Sequence, residues 1–417
     1  MNELKKSFLL IGYNYSPEPT GIGKYSGEMV DWLAKNGCAC TVITTYPYYP
    51  YWKVQEPYRK KRFWFTTEKE NFPSGGSIKV IRCPIYVPTN PSGLKRIILD
   101  FTFLFASAFP LIKLLFKKKV DVVMAVAPSF LIGLPAVFYK RIKGSKFQYH
   151  IQDMQIEAAH ELGMIKSKFL IKTLFRIERF IFNQADVISS ISEGMIQKLQ
   201  DKSKRKVYFF PNWADISIFY PIRNKTEIKK SFGFDDSDQI ILYSGAIGQK
   251  QGLDAILAAA DYLRENRNAK FIICGSGPYK SALEDMARRM GLENVYFFPL
   301  QPLEKFNEFL NLADIHLVIQ KADASDLMMP SKLTSILAVG GLALITANES
   351  SGLHTLVKNH GVGEVVPAEN QDALNNAIEN LLRDSTRNTL IREKARAYAE
   401  QFLDRNEIMI RFQKDFL

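Results

Sequence analysis

The chain is built from blocks in which a short continuous apolar run is followed by apolar residues at three- and four-residue spacing. In the first half, runs at 7–13, 40–45, 77–83, 120–127, 146–151, 185–190 and 207–210 predict strands. Apolar runs without alternation suit parallel strands covered on both faces. Helical spacing follows at 24–35, 130–139 and 168–183, and another helix starts at Glu193 behind Ser192, a suitable N-cap. The pattern loosens after Pro211, and the domain boundary is placed at 213. It resumes with strands at 240–244, 269–274, 295–298, 315–319 and 343–346, with helices between them. The sheet run is expected to end at 346, with charged helix from 372 onward. Strands alternating with helices in both halves imply two doubly wound α/β domains, 1–213 and 214–395, facing across a cleft. Residues 396–417 are expected to form a helix packing back on the first domain.

One apolar stretch stands apart. Residues 97–116, IILDFTFLFASAFPLIKLLF, have the length of a membrane span but are interrupted by Asp100, Pro110 and Lys113 and flanked by lysines and arginine. A span, a buried helix and a helix lying in a membrane interface all fit. The N-terminal run is too brief for a cleavable signal and reads as a first strand. A length of 417 residues favours two domains, and 47% hydrophobic content is that of a folded protein. The formal charge of +12 favours anionic partners: phosphate-rich ligands, nucleic acid or an anionic membrane. Four cysteines without a C-x-x-C pair read as reduced core thiols of a cytosolic protein, and no metal site is readable.

The candidate chemistry lies where strands meet glycines. The first strand runs into NYSPEPTGIGKYS, with Gly21 and Gly23 just before a helix. The strand at 240–244 runs into Gly245, Ala246 and a turn carrying Lys250 between Gly248 and Gly252. Glycines let backbone approach an anion closely, and a helix N-terminus offers unpaired N–H groups with partial positive charge. An ordinary βα turn with a solvated lysine has the same appearance. Pro330, Ser331, Lys332 and Leu333 open another helix at the ligand edge. His150 and Asp153 fall at the C-terminal edge of their strand, and the loop YPYYPYWKVQEPY at 46–58 supplies rings that stack on sugars or pack on the surface. Together these features point to a ligand with a polyanionic centre held between two domains.

The segments SPEPTGIGKY, IERFIFNQADVISSISEGM, FFPNWADISIFYP, YSGAIGQKQGL, FIICGSGP and MPSKLTSILAVGG, in this order, resemble the retaining glycosyltransferases of the GT-B fold, family 4 type. The PYYPYW loop, HIQDM and PSKLTSILA look like the colanic-acid-type fucosyltransferase branch. The resemblance implies two Rossmann-like domains and a retaining hexosyltransferase. Gly21 and Gly23 would abut the donor's distal phosphate, and Gly245 and Ala246 the second phosphate loop. Relatives continue that loop with an arginine and a lysine. Here Ala246 holds the arginine position and Lys250 stands one residue before the lysine position. The base would be met near Gln301, and the amides of Ser331, Lys332 and Leu333 would meet the phosphates. Two glutamates of many relatives correspond to Leu327 and Ser335, so the Ser335 hydroxyl would reach the ribose and Asp323 or Asp326 the sugar.

The implied reaction needs no cofactor or metal beyond a GDP- or UDP-linked donor. Lys250, Lys332 and loop amides would stabilise the leaving diphosphate, while His150 and Asp153 would hold sugar or acceptor. The expected function is transfer of a sugar, fucose or a related deoxysugar, to a lipid-linked saccharide in bacterial exopolysaccharide or capsule synthesis. The expected place is cytoplasmic and peripheral on the anionic inner membrane, with no nucleic-acid partner. A nucleotide-sugar epimerase of the same architecture and a non-catalytic sugar or membrane-surface binding protein are the alternatives. A dehydrogenase is not expected, since neither glycine loop is a G-x-G-x-x-G with a downstream acid.

Overall fold

A computed structural model describes residues 6–18, 21–89, 93–154, 156, 168–322, 331–349 and 351–417. The chain divides into two compact units. The first is Met1–Pro211 with Met409–Leu417, and the second is Asn212–Ile408. The chain therefore crosses at 211/212 and returns at 408/409, where the sequence suggested 213 and 396.

The first unit carries β1 (Ser7–Ile11), β2 (Ala39–Thr45), β3 (Thr66–Asn71), β4 (Ser77–Cys83), β5 (Val122–Ala127), β6 (Lys146–Ile151), β7 (Val187–Ser190) and β8 (Val207–Phe209). They form one sheet in the order β3-β4-β2-β1-β5-β6-β7-β8. Only the edge strand β3 is antiparallel, paired with β4. Its sequence, TTEKEN, is polar on both faces, so no apolar run announced it. The central β5, VVMAVA, is buried throughout, because helices cover both faces of a parallel sheet.

The second unit carries β9 (Gln239–Ser244), β10 (Ala269–Cys274), β11 (Val295–Phe298), β12 (Ile315–Val318), β13 (Ala343–Thr346) and β14 (Gly363–Val366). All are parallel, in the order β11-β10-β9-β12-β13-β14. Counted along the chain this is 3-2-1-4-5-6, the doubly wound dinucleotide-fold order. Alternate residues of β9 serve two cores: Ile240 and Leu242 pack on one face, Ile241 and Tyr243 on the other. The sheet does not end at 346, since β14 adds a strand beyond β13. GEVV is too short and too little apolar to stand out, and its glycine is needed. A Cβ at Gly363 would lie 2.7 Å from the Ala343 carbonyl oxygen.

The apolar run forms the helix Gly93–Leu115. Leu99, Phe103, Leu111 and Leu114 are buried in the first unit's core. Its other side is exposed and still apolar: Phe101, Phe105, Phe109 and Ile112, with Phe116 just beyond. It is a core helix with an apolar outer face. At the chain's end, the helix Arg405–Phe416 brings Phe412 edge-on to Phe8 and stacked on Phe210, ring centres 6.2 and 4.8 Å apart. All four cysteines are buried and free.

Candidate functional site

In the second unit the strand order reverses between β9 and β12. Loops leaving the C-terminal ends of such strands take the ligand of an open α/β sheet. Gly245 follows β9 directly; its N–H donates to the Cys274 carbonyl at 3.0 Å, and the Ile247 N–H to the Ser276 carbonyl at 2.9 Å. The glycines opposite let the two loops lie flat on each other. A Cβ on Gly275 would stand 1.9 Å from the Gly245 oxygen, and one on Gly277 2.1 Å from the Ile247 oxygen.

Onto this double turn the helix Ser331–Ala338 projects Lys332 from its first turn. The ammonium lies 3.8 Å from the centre of the Tyr243 ring, and a Cβ built on Gly245 would be 3.6 Å from it. The Tyr243 hydroxyl donates to the Ala246 carbonyl at 2.7 Å, fixing the ring under the lysine. Among the described residues no carboxylate pairs with Lys332, and burial pushes its pKa down to about 7. A desolvated cation beside helix-terminal amides is stabilised by an anion, which restores the counter-charge that burial removed.

The remaining candidates of this unit differ in reach. Lys250 stands in the single turn Gln249–Gln251, and its side chain lies outside the described residues, as do Asp323, Asp326 and Leu327. Gln301 is half-buried and donates to the Pro299 carbonyl. Ser331 is exposed. Leu333 is a core side chain, so only its backbone could meet a ligand. The Ser335 hydroxyl donates back to the Lys332 carbonyl at 3.0 Å, which leaves its lone pairs for a ligand donor.

The first unit repeats the arrangement at the reversal between β1 and β5, with a different charge. Gly21 and Gly23 begin the helix Gly21–Lys35. A Cβ on Gly23 would stand 2.6 Å from both Cβ and Oε2 of Glu18. Glu18 is 2% exposed, and burial raises its pKa to about 6 against the hydrogen bonds it accepts. The partial positive charge of this helix start therefore already faces a carboxylate. Glu18 and Arg82 both line a cavity of about 600 Å³. The buried Arg82 guanidinium donates to Glu68, to the Thr45 and Ser16 carbonyls, and stacks on Tyr58.

His150 corrects the sequence reading of an open strand edge. Its ring is 2% exposed, lies 3.0 Å from the Ser189 hydroxyl on β7 and meets Phe210 edge-on. Burial lowers its pKa to about 3, so it is neutral at physiological pH. Asp153 is half-buried just beyond β6. Sequence reasoning passed over Glu18 and Tyr243. Both lie inside segments it had singled out, but only for their glycines.

Residues 20–213 match the family model for a glycosyl transferase 4-like domain, and residues 224–401 that for glycosyl transferases group 1. Fold and matches define a glycosyltransferase, and the chain belongs to this family, with the two Rossmann-like domains of the GT-B class. It is 39% identical over 415 residues, 98% of either chain, to the Escherichia coli (strain K12) protein that carries the name colanic acid biosynthesis glycosyl transferase WcaI. Sucrose-phosphate synthase from Thermosynechococcus elongatus shares the fold at 15% identity, TM-score 0.74 and 98% coverage of both chains. HepE of Anabaena, solved with UDP and glucose, does so at 14% identity, TM-score 0.69 and 98% coverage of both.

Proposed function

We propose that the protein transfers a sugar from a nucleoside-diphosphate donor to a saccharide acceptor in bacterial exopolysaccharide synthesis. The observation that carries this reading is the Lys332 ammonium poised over Tyr243 beside Gly245, at the strand reversal of a dinucleotide-type sheet. The name of the 39% identical relative supports the pathway class, and the UDP and glucose bound by HepE support a nucleoside-diphosphate-linked donor, which this reading takes as GDP- or UDP-linked. A deoxysugar such as fucose is the donor sugar we favour.

In the proposed step the bond from the anomeric carbon to the diphosphate oxygen breaks. The bond to the acceptor hydroxyl oxygen forms on the same face, giving retention. The hydroxyl proton leaves on the departing diphosphate. Lys332 and the amides of the Ser331–Leu333 turn carry the negative charge that develops on the leaving group, so no metal is needed in this reading. Lys250 adds a second cation.

The outer face of the helix Gly93–Leu115 supports peripheral docking on the cytoplasmic side of an anionic inner membrane, next to a lipid-linked acceptor. Phe105 and Phe116 are 73% and 87% exposed, Phe109 packs on Phe65, and lysines 117–119 follow. A thermal-shift and transfer panel of GDP-, UDP- and dTDP-sugars tests the reading. At least one donor is expected to raise Tm and release free nucleotide with a new glycoside. No shift and no turnover with any donor would sink it.

A further inference from the structure

We propose that Glu18 is a positioning residue: its carboxylate pins the aromatic loop 46–58 to the glycine turn of the first unit, so that the loop's exposed rings form a fixed wall for a saccharide. The inference rests on the transferase reading.

Three segments converge on this one side chain. Oε1 accepts from the backbone N–H of Tyr48 at 3.0 Å and of Tyr49 at 2.9 Å. Oε2 accepts from Asn14 Nδ2 at 2.8 Å, just past β1. The glycine turn closes the third side, because the missing Cβ of Gly23 is the space that Glu18 fills. The loop needs such an anchor. Pro47, Pro50 and Pro57 interrupt it, and it belongs to no strand. A buried amide without a partner is costly, and Glu18 supplies the partner for two.

The anchored loop exposes two aromatic rings, one of them close to the glycine turn. Tyr48 is buried and packs on Trp52, ring centres 5.7 Å apart, with Arg96 over the Trp52 ring at 5.1 Å. Tyr49 and Tyr51 remain exposed, and the Tyr49 ring approaches to 3.9 Å of the Cβ position of Gly21. Flat, partly exposed rings held at one orientation suit the apolar face of a pyranose, whereas a free loop must be ordered on binding at an entropic cost. Glu18 has no route to act directly. Both oxygens are engaged by N–H donors and the residue is 2% exposed, so its influence passes through the loop.

The full-length chain with Glu18→Ala, Glu18→Gln or Glu18→Asp tests this. In Glu18→Ala, amide hydrogen exchange at Tyr48 and Tyr49 is expected to quicken at least tenfold while β5 amides are unchanged. The KM for the saccharide acceptor is expected to rise at least tenfold, with kcat within threefold. Glu18→Gln keeps an oxygen for both amides and should stay within threefold of wild type in both readouts. The shorter Glu18→Asp should follow Glu18→Ala and serves if that variant does not fold. Unchanged exchange and KM in Glu18→Ala or Glu18→Asp overturns the proposal. So does Glu18→Gln failing as badly as Glu18→Ala with normal Tm, since the charge and not the anchor would then matter. If wild type transfers no sugar, the transferase reading fails, and exchange alone still decides whether Glu18 holds the loop.

Discussion

The two glycine turns occupy the same place in their sheets and are built on opposite charges. Behind Gly23 stands a buried carboxylate, already bonded to three N–H donors. Beside Gly245 lies a lysine that has a ring beneath it and no described carboxylate partner. Both turns follow the central strand of a doubly wound sheet, so fold alone would assign them the same ligand chemistry. Charge separates them. A diphosphate gains from Lys332 and loses near Glu18. The Gly245 turn is thus suited to the anionic part of a donor, and the Gly23 turn to hydroxylated, uncharged groups. A nearby glycine turn is evidence of close backbone approach; what approaches is decided by the side chain behind it.

The largest effect that could break this contrast is on Lys332. Replacing it with methionine is expected to weaken nucleotide-sugar binding by about a hundredfold, in the range of a desolvated charge-assisted contact. The apo Tm should not fall, because a desolvated cation with no carboxylate partner among the described residues is removed. Calorimetry with the donor identified by the panel measures the first and a thermal scan the second; unchanged affinity would end the assignment of this turn to the diphosphate.

The same lysine gives a pH signature with a definite sign. Its pKa is about 7 in the folded chain against an ordinary 10.5. Below 7 both folded and unfolded chains hold the proton, and the burial cost is carried in full. Between 7 and 10.5 the unfolded chain binds more protons, so apo stability rises with pH across this window. Donor affinity runs the other way, since an anion favours the ammonium. It should fall by up to about tenfold per unit as pH rises above 7. Lys332→Met should flatten both slopes. A donor affinity that is level from pH 6 to 9 in wild type would remove Lys332 from the site.

Alanine at the packed glycines gives a smaller effect and sharpens the contrast by what each new methyl meets. At Gly275 it meets the Gly245 carbonyl at 1.9 Å, backbone against backbone, and the turn must open. At Gly23 it meets the Glu18 side chain at 2.6 Å. Overpacking of this kind typically costs about 1–3 kcal/mol. Gly275→Ala should lie at the upper end and also weaken donor binding, while Gly23→Ala should lie lower and leave donor binding nearly unchanged. Urea unfolding and donor titration of both variants make the comparison; equal losses of donor affinity would mean that both turns hold the same part of the ligand.

Much of this was legible in the chain. Continuous apolar runs marked twelve of the fourteen described strands, because parallel strands are covered on both faces. β3 and β14 were missed because one is a polar edge and the other four residues long with a glycine. Both glycine turns and Lys332 were readable from residue type and spacing. The burial of Glu18 between two prolines was not, since an acid in a loop is ordinarily solvated and only the fold of 46–58 over it closes the site. His150 misled for the converse reason. It sits near a strand's ligand-side end, but the neighbouring β7 and Phe210 cover it.

The finest test concerns Tyr243, which was read only as part of an apolar strand. Its ring lies under the Lys332 ammonium, and its hydroxyl holds the Ala246 carbonyl at 2.7 Å. Tyr243→Phe removes the second contact and keeps the first. The loss is one hydrogen bond, about 1 kcal/mol, and a donor affinity lower by roughly threefold to tenfold as the turn loosens. Tyr243→Leu removes both, and without the ring's negative face beneath it the ammonium is further disfavoured. The pH at which donor affinity begins to fall should then move below that of Tyr243→Phe. If the two variants share one pH profile, the ring does not support the charge, and the contrast between the two turns rests on Lys332 and Glu18 alone.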